Sequence, residues 1–497
     1  MGGLCLVTGA TGYVGGRLVP ELLEAGYRVR CMTRSRERLK DQPWFDDVEV
    51  VEADASDAAS VRTALDGATT AYYLIHSMLG GARFEDADRT AASTFAAAAG
   101  EAAKAGELRR LVYLGGLSPH DGPLSPHMRS RREVGRILLD SGVPTIVFRA
   151  AVIIGSGSAS FEMLRYLTER LPVMVTPRWV ERRVQPIAIR DVLRYLVSAA
   201  ALPPEAVGEF DIGGPEILTY RQMMQRYARA AGLSNRLIVP VPVLTPRLSS
   251  LWVGLVTPVP GTLAQPLVES LHHDAVRADD AVAEWIPDPP QGLISFDEAV
   301  DLALRRVREA AVATRWSSGS VPGAPSDPLP TDPAWAGGSL YADERLRSTS
   351  TPAENVWSAI EGIGGESGWY SLPFAWQARG LIDSVVGGVG LRRGRRDPRH
   401  LRVGDAVDFW RVEAIERGRE KLLRLRAEMR LPGLAWLELG VTPTDGGSLY
   451  RQRAVFYPRG LLGQAYWWSV KPFHRFIFEA MARNLTASSP PSLAKHR

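Results

Sequence analysis

Short apolar runs alternate with amphipathic patterns through the first 200 residues. The runs at 4–7, 27–32, 48–51, 71–75, 111–114 and 145–148 are continuous rather than every-other-residue, as in strands buried on both faces. Between them, segments near 12–25, 57–65, 87–105, 128–141 and 160–170 carry a helical period. This alternation predicts an α/β architecture, a doubly wound parallel sheet with right-handed crossovers and a ligand at the carboxyl ends of its strands. From about 173 to 311 the alternation loosens. A strand-like piece ends in Phe210-Asp211-Ile212-Gly213-Gly214, and Thr219 is placed to cap a helix to Ala231. A proline-rich stretch, Val239–Pro260, and a helix at about 296–310 follow. Material added there is expected to wall a substrate pocket.

The pattern then changes. Residues 312–338 are rich in Ser, Gly, Pro and Asp and read as a linker. Residues 339–486 predict a separate α+β module, with 487–497 as a flexible tail. Its first helix is expected at Thr351-Pro352-Ala353-Glu354, with Thr351 as cap and Glu354 completing a capping box. Strands are expected at about 406–414, 421–429, 434–442 and 449–457, and a closing aromatic-rich helix at about 466–485.

The octet Thr8-Gly9-Ala10-Thr11-Gly12-Tyr13-Val14-Gly15 lies between the first strand and the first helix. Glycines at these spacings serve a dinucleotide phosphate: Gly9 for a tight turn, Gly12 for close backbone approach, Gly15 for helix packing. The helix N-terminus offers unpaired N–H groups and a positive dipole end.

The net charge of +4 gives no reason to expect nucleic acid, but it is uneven. Residues 339–497 hold 24 Lys/Arg against 16 Asp/Glu, so the earlier part is acidic. The two cysteines, Cys5 and Cys31, fall in predicted strands and read as buried apolar residues, which fits a reducing cytoplasm. The first strand begins without a preceding basic segment, so no cleavable signal is expected. The apolar region 251–268 carries three prolines and is a poor transmembrane span. The eight histidines show no metal-ligand spacing, and no hydrolase motif occurs.

Residues 1–311 resemble the extended and atypical short-chain dehydrogenase/reductase superfamily, with its NAD(P)-binding Rossmann fold. The likeness rests on TGATGYVG at 8–15, CMTRS at 31–35, EADASD at 52–57 and YYLIHSM at 72–78. It continues in VYLGGLS at 112–118, HMRSRREVGRIL at 127–138, VFRAAVIIG at 147–155 and FDIGGPEILTY at 210–220. The resemblance implies Asp54 and Ala55 beside an adenine, and Leu74, Ile75 and His76 on the ribose and nicotinamide side. Residues 339–486 resemble the helix-grip fold of polyketide cyclases and START-type lipid carriers, in a DUF2867-type, SRPBCC-like form.

An NAD site wants an acid at the end of the second strand; here Thr33, Arg34 and Arg36 precede the first acid, Glu37. Guanidinium groups there suit the 2′-phosphate of NADP, so NADP is expected over NAD. The superfamily's Tyr and Lys, four residues apart, are replaced by His127 and Arg131, and its serine position reads Gly115-Gly116, with Ser118 two residues on. Two readings stay open. In one, His127 donates a proton as imidazolium while Arg131 binds cofactor. In the other, His127 only hydrogen-bonds at a pocket edge.

The expected function is an NADP(H)-dependent oxidoreductase acting on an apolar carbonyl, enone or quinone. The alternatives are a non-catalytic NADP(H)-binding regulator or scaffold, and a hydrophobic-ligand carrier acting through the C-terminal module. Trp410, Trp436, Leu437, Tyr450, Phe456, Trp467, Phe473 and Phe476 are candidates to line or fill that module's interior. Leu391–Arg396 is the densest basic patch, and the closing helix, with Trp468 and Lys471, is expected to pack on its own sheet rather than on a membrane.

Overall fold

The computed structural model describes residues 2–76, 84–118, 124–241, 256–312, 332, 340–364, 369, 397, 400–429 and 431–487. The basic patch Leu391–Arg396 and residues 488–497 lie outside them. The chain divides into two compact units, Met1–Gly338 and Ser339–Arg497.

The first unit is built on a seven-stranded parallel sheet. Its strands are β1 (Leu4–Thr8), β2 (Arg28–Thr33), β3 (Glu49–Glu52), β4 (Thr70–Tyr73), β5 (Arg110–Gly116), β6 (Thr145–Ala150) and a seventh at Gly208–Ile212. The order is seventh–β6–β5–β4–β1–β2–β3, every neighbour parallel, so the chain runs out from β1 in both directions. Helices α1 (Tyr13–Glu24), α2 (Ala58–Leu65), α3 (Phe84–Lys104) and α4 (Pro126–Leu139) follow the strands, with α5 (Ala159–Arg170), α6 (Ile189–Ala199) and α7 (Tyr220–Ala230) beyond. Each apolar run becomes a strand; β1, β4, β5 and β6 are covered on both faces, whereas the edge strand β3, expected to be buried, is half-buried to exposed. Leu18, Leu22, Val192 and Leu196 bury one face; Val61, Phe95, Val134 and Leu138 bury the other.

Local chemistry fixes the elements next to the site. Pro20 has no N–H to offer the Gly16 carbonyl, and the Trp44 indole Nε1 donates to it instead at 3.1 Å. Helix α4 begins two residues earlier than its apolar period suggests, because Ser125 caps it through Met128 N at 3.2 Å and Pro126 opens it. Thr219 caps α7 in a full capping box with Gln222. A third core, under α5, α7 and the helices Gly261–Ser270 and Phe296–Val312, supports the region beyond the sheet.

The second unit is a six-stranded antiparallel sheet in the order Tyr341–Thr349, Gly447–Pro458, Gly433–Thr444, Lys421–Ala427, Trp410–Arg417, Ala406–Val407. The edge strand Tyr341–Thr349 was not foreseen; it is largely exposed and its charges hide any apolar period. The expected capping box is replaced. Pro352 is the cap of helix Ala353–Glu361, Thr351 Oγ1 donates to the Thr486 carbonyl at 3.0 Å, and Glu354 pairs with Lys421 at 2.9 Å. The closing helix, Gly460–Leu485, starts before its expected position. Trp410, Trp436, Leu437, Tyr450, Phe456 and Trp467 are buried, whereas Phe473 and Phe476 point outward.

Candidate functional site

The glycine loop is shaped by close backbone contacts. Gly9 has φ +71°, and a Cβ there would lie 2.6 Å from the Leu74 carbonyl oxygen. A Cβ on Gly15 would lie 2.3 Å from the Gly9 carbonyl oxygen, so α1 seats directly on the turn. Gly12 is different: the nearest protein atom to its added Cβ is Gly9 O, at 3.2 Å, and its outer side is exposed. The protein itself asks little of Gly12, which is what close approach by a ligand requires. Gly12 caps α1 without a side chain, so no side chain meets the first-turn N–H groups of Tyr13, Val14 and Gly15. Thr11 is half-buried beside them. Thr8 Oγ1 donates to Tyr72 O and accepts from Leu74 N at 3.0 Å, tying this loop to the end of β4.

Tyr13 contributes through its backbone. Its hydroxyl is buried against Gly155, where a Cβ would lie 2.2 Å away, and Arg17 stacks 4.2 Å from its ring centre. Arg17, 2 % exposed, also holds Asp332 at 2.6 Å, a contact no local pattern announces.

At the end of β2, Thr33 is buried and its hydroxyl bonds Ser35. Arg34 is exposed, and its charge acts on the Asp54 carboxylate. Arg36 lies over the Phe45 ring at 4.9 Å. An acid does stand here after all: Glu52 pairs in register with Thr33 and accepts from Arg36 N at 2.6 Å. It comes from the neighbouring strand, so reading along β2 misses it. Asp54 is exposed, and hydrogen bonds from Ser56 hold its carboxyl below the usual range; Ala55 is buried beside it. Leu74 and Ile75 are half-buried, and His76 is exposed at the end of β4.

Helix α4 carries His127 in its first turn and Arg131 one turn on, on the same face. Both border a cavity of about 120 Å³ at the ends of β5 and β6. Gly116 and these two residues form one side; Met163, Leu167, Trp179, Tyr220, Met224 and Leu271 form much of the rest. The Trp179 Nε1 donor is buried and has no acceptor among the described residues. Arg131 likewise has no carboxylate partner among them. Enclosure, then the charge of Arg131, then His76, push the His127 imidazole down to about 3. This environment favours the neutral imidazole of His127 over the imidazolium. Ser118 is 5 % exposed, and its hydroxyl accepts a hydrogen bond from Arg132 at 3.1 Å.

The apolar walls were not singled out from the sequence, although the helical period of 220–230 puts Tyr220 and Met224 on one face. Cys5 and Cys31 are free, buried thiols pushed up to about 12 by burial. Among the described residues no group of His, Cys, Asp and Glu converges as a metal site, and no helix is long and apolar enough to cross a membrane.

Residues 9–142 match a family model described as NAD(P)H-binding, and residues 335–481 match one described as a protein of unknown function, DUF2867. The ceramide reductase of Caulobacter vibrioides is 28% identical over 304 residues, 60% of this chain and 94% of that protein. The (4-alkanoyl-5-oxo-2,5-dihydrofuran-3-yl)methyl phosphate reductase of Streptomyces griseus is 29% identical over 236 residues, 46% of this chain and 74% of that protein. The solved triphenylmethane reductase of Citrobacter sp. aligns with a TM-score of 0.49 at 17% identity, covering 61% of this chain and 99% of that one. With its parallel sheet and uncapped glycine loop, the chain joins an NAD(P)H-binding, Rossmann-like domain to a DUF2867 domain, and its relatives at 28–29% identity are reductases.

Proposed function

We propose that the protein reduces an apolar carbonyl, enone or quinone compound with NADPH, in the cavity beside His127 and Arg131. The observation that carries this reading is Arg131: a guanidinium bordering an apolar cavity, without a carboxylate partner among the described residues. A charge so placed favours an electron-rich group, either coenzyme or the oxygen that gains negative charge as the substrate is reduced.

The residues around the loop suit the coenzyme. Gly9, Gly12 and Gly15 leave room for phosphates at the backbone, and the first-turn N–H groups of α1 have no side-chain cap. Thr33, Arg34 and Arg36 would hold a 2′-phosphate. Asp54, Ala55, Leu74, Ile75 and His76 would border the rest. The coenzyme, when bound, supplies the hydride. Arg131 stabilises the developing oxyanion, neutral His127 orients the substrate through its ring N–H, and the proton that completes the alcohol or hydroquinone comes from water. The apolar walls exclude other solvent and select the substrate's hydrocarbon part. The ceramide and alkanoyl-furanone names of the two relatives agree with a substrate bearing an alkyl chain.

For the C-terminal unit we favour a helix-grip-like module, supported by its antiparallel sheet with a closing helix packed on it. The buried free thiols fit a cytoplasmic setting.

The test is NADPH oxidation, followed by absorbance, with long-chain ketones, enones and quinones. Acceptor-dependent oxidation that falls in Arg131→Met supports the reading. Tight NADPH binding with no turnover on any acceptor replaces it with a regulator, and no association with either reduced coenzyme removes it.

A further inference from the structure

The closing helix of the C-terminal unit, Gly460–Leu485, is apolar on two sides. Its inner side is accounted for. Trp467 stacks with Tyr341 at 5.2 Å and with Phe456 at 5.9 Å, and Phe478, Met481 and Leu485 enter the core of the unit. Its outer side is not. Leu461 is 48 % exposed, Leu462 78 %, Trp468 57 %, Phe473 63 % and Phe476 69 %. Helical spacing puts Trp468 and Phe476 two turns apart along one edge, with Phe473 beside them. Five large apolar side chains open to solvent on one helix is more than scattered surface hydrophobics supply.

The charges of this helix are mainly positive. Residues 459–485 contain four basic residues and one acidic. That acid, Glu479, lies 3.7 Å from Arg347 of the edge strand. The nearby acids Asp343 and Glu344 are paired with Arg345 and Arg451. Lys471 instead lies 4.7 Å over the Trp468 ring, and neither it nor Arg459 has a carboxylate partner among the described residues. The face is the outer side of a single helix. It cannot wrap a small ligand, but it can enter a flat apolar phase bordered by negative charge.

We propose that this face docks the protein on an anionic lipid bilayer. Trp468, Phe473, Phe476, Leu461 and Leu462 enter the headgroup–acyl boundary, and Arg459 and Lys471 meet lipid phosphates. The helix lies in the surface and does not cross it. This is independent of the coenzyme and of the reaction proposed above.

The experiment is co-sedimentation of the full chain with vesicles of equal parts phosphatidylcholine and phosphatidylglycerol, against phosphatidylcholine alone. Trp468→Ser/Phe473→Ser/Phe476→Ser and Lys471→Glu are tested beside it, with circular dichroism and thermal melting showing that each is folded. The wild type should pellet with the anionic vesicles and be released by salt. The triple variant should lose about tenfold or more in partitioning, since three apolar side chains no longer leave water. Lys471→Glu should lose about fivefold or more. If the triple variant does not fold, Lys471→Glu and the salt dependence decide alone. No pelleting at low salt, or unchanged pelleting in the folded variants, overturns the proposal. So does a concentration-dependent dimer in solution that the triple variant abolishes without any vesicle binding; the face is then an interface between copies.

Discussion

The glycine loop and the cavity beside α4 lie in the same unit, yet they are made in opposite ways. The loop is a backbone device. Its donors are main-chain N–H groups, and its side chains matter mainly by being absent, as at Gly9 and Gly15. The cavity is a side-chain device, assembled from β5, α4, α5, α7 and the helix Gly261–Ser270. A backbone site fails abruptly when a single atom is added. A side-chain site degrades in steps, because each residue supplies one separable part of the chemistry.

The largest effect is expected at the loop. Gly15→Val places atoms within 2.3 Å of the Gly9 carbonyl. It should cost about 1–3 kcal/mol of stability by overpacking and weaken NADPH binding about 100-fold or more by displacing the helix N-terminus, read by thermal melting and titration calorimetry. A normal NADPH affinity in this variant would mean that the loop is not the coenzyme seat. Next is Arg131→Met, which keeps the length and removes the charge. It should lower kcat/KM about 100-fold if Arg131 stabilises the oxyanion, with a smaller change in NADPH affinity; the reverse pattern would make Arg131 a coenzyme ligand only.

Arg34→Ala should weaken NADPH about tenfold and leave NADH unchanged, as loss of a guanidinium–phosphate pair does. Equal weakening of both would shift the preference toward NAD and give Glu52 a share in recognition.

The smallest effect belongs to His127. Where the neutral imidazole is favoured, His127→Ala should change kcat only about threefold; a loss of about 100-fold or more would mark it as the proton donor. Its pH signature is separate. The unfolded imidazole titrates near 6.5 and the folded one near 3. The folded state therefore binds fewer protons between those values, so the contribution of neutral His127 to stability is complete above about pH 6.5 and is lost as pH falls. The wild type should accordingly lose more melting temperature between pH 7.5 and 5 than the variant does.

Much of the first unit was legible along the chain. Strands buried on both faces leave continuous apolar runs, and β1, β4, β5 and β6 appear where such runs are; the run at 48–51 gave a strand too, but an edge strand that is not buried. The loop was legible too, because Gly9, Gly12 and Gly15 meet their steric demands within eight consecutive residues. The apolar walls of the cavity were not. Met163, Trp179 and Leu271 belong to segments whose periodicity says only that they are buried, and ordinary core residues give the same signal. The same limit appears in the closing helix: its composition announces aromatics, but not that Trp467 faces the sheet while Phe473 faces water.

The order of residues thus carried whatever depends on neighbours a few positions apart: strand and helix periods, the Ser125 and Thr219 caps, the glycine turn, and His127 and Arg131 on one helical face. Three-dimensional packing supplied whatever depends on distant segments meeting. It set Glu52 beside Thr33 through sheet register, paired Arg17 with Asp332, engaged Ser118 with Arg132, and set His127 beside Arg131, where burial and charge push its imidazole down. The physical reason is that propensity and periodicity act over a few ångströms of chain. Burial and electrostatics act over a few ångströms of space, and no local pattern states which residues will share that space.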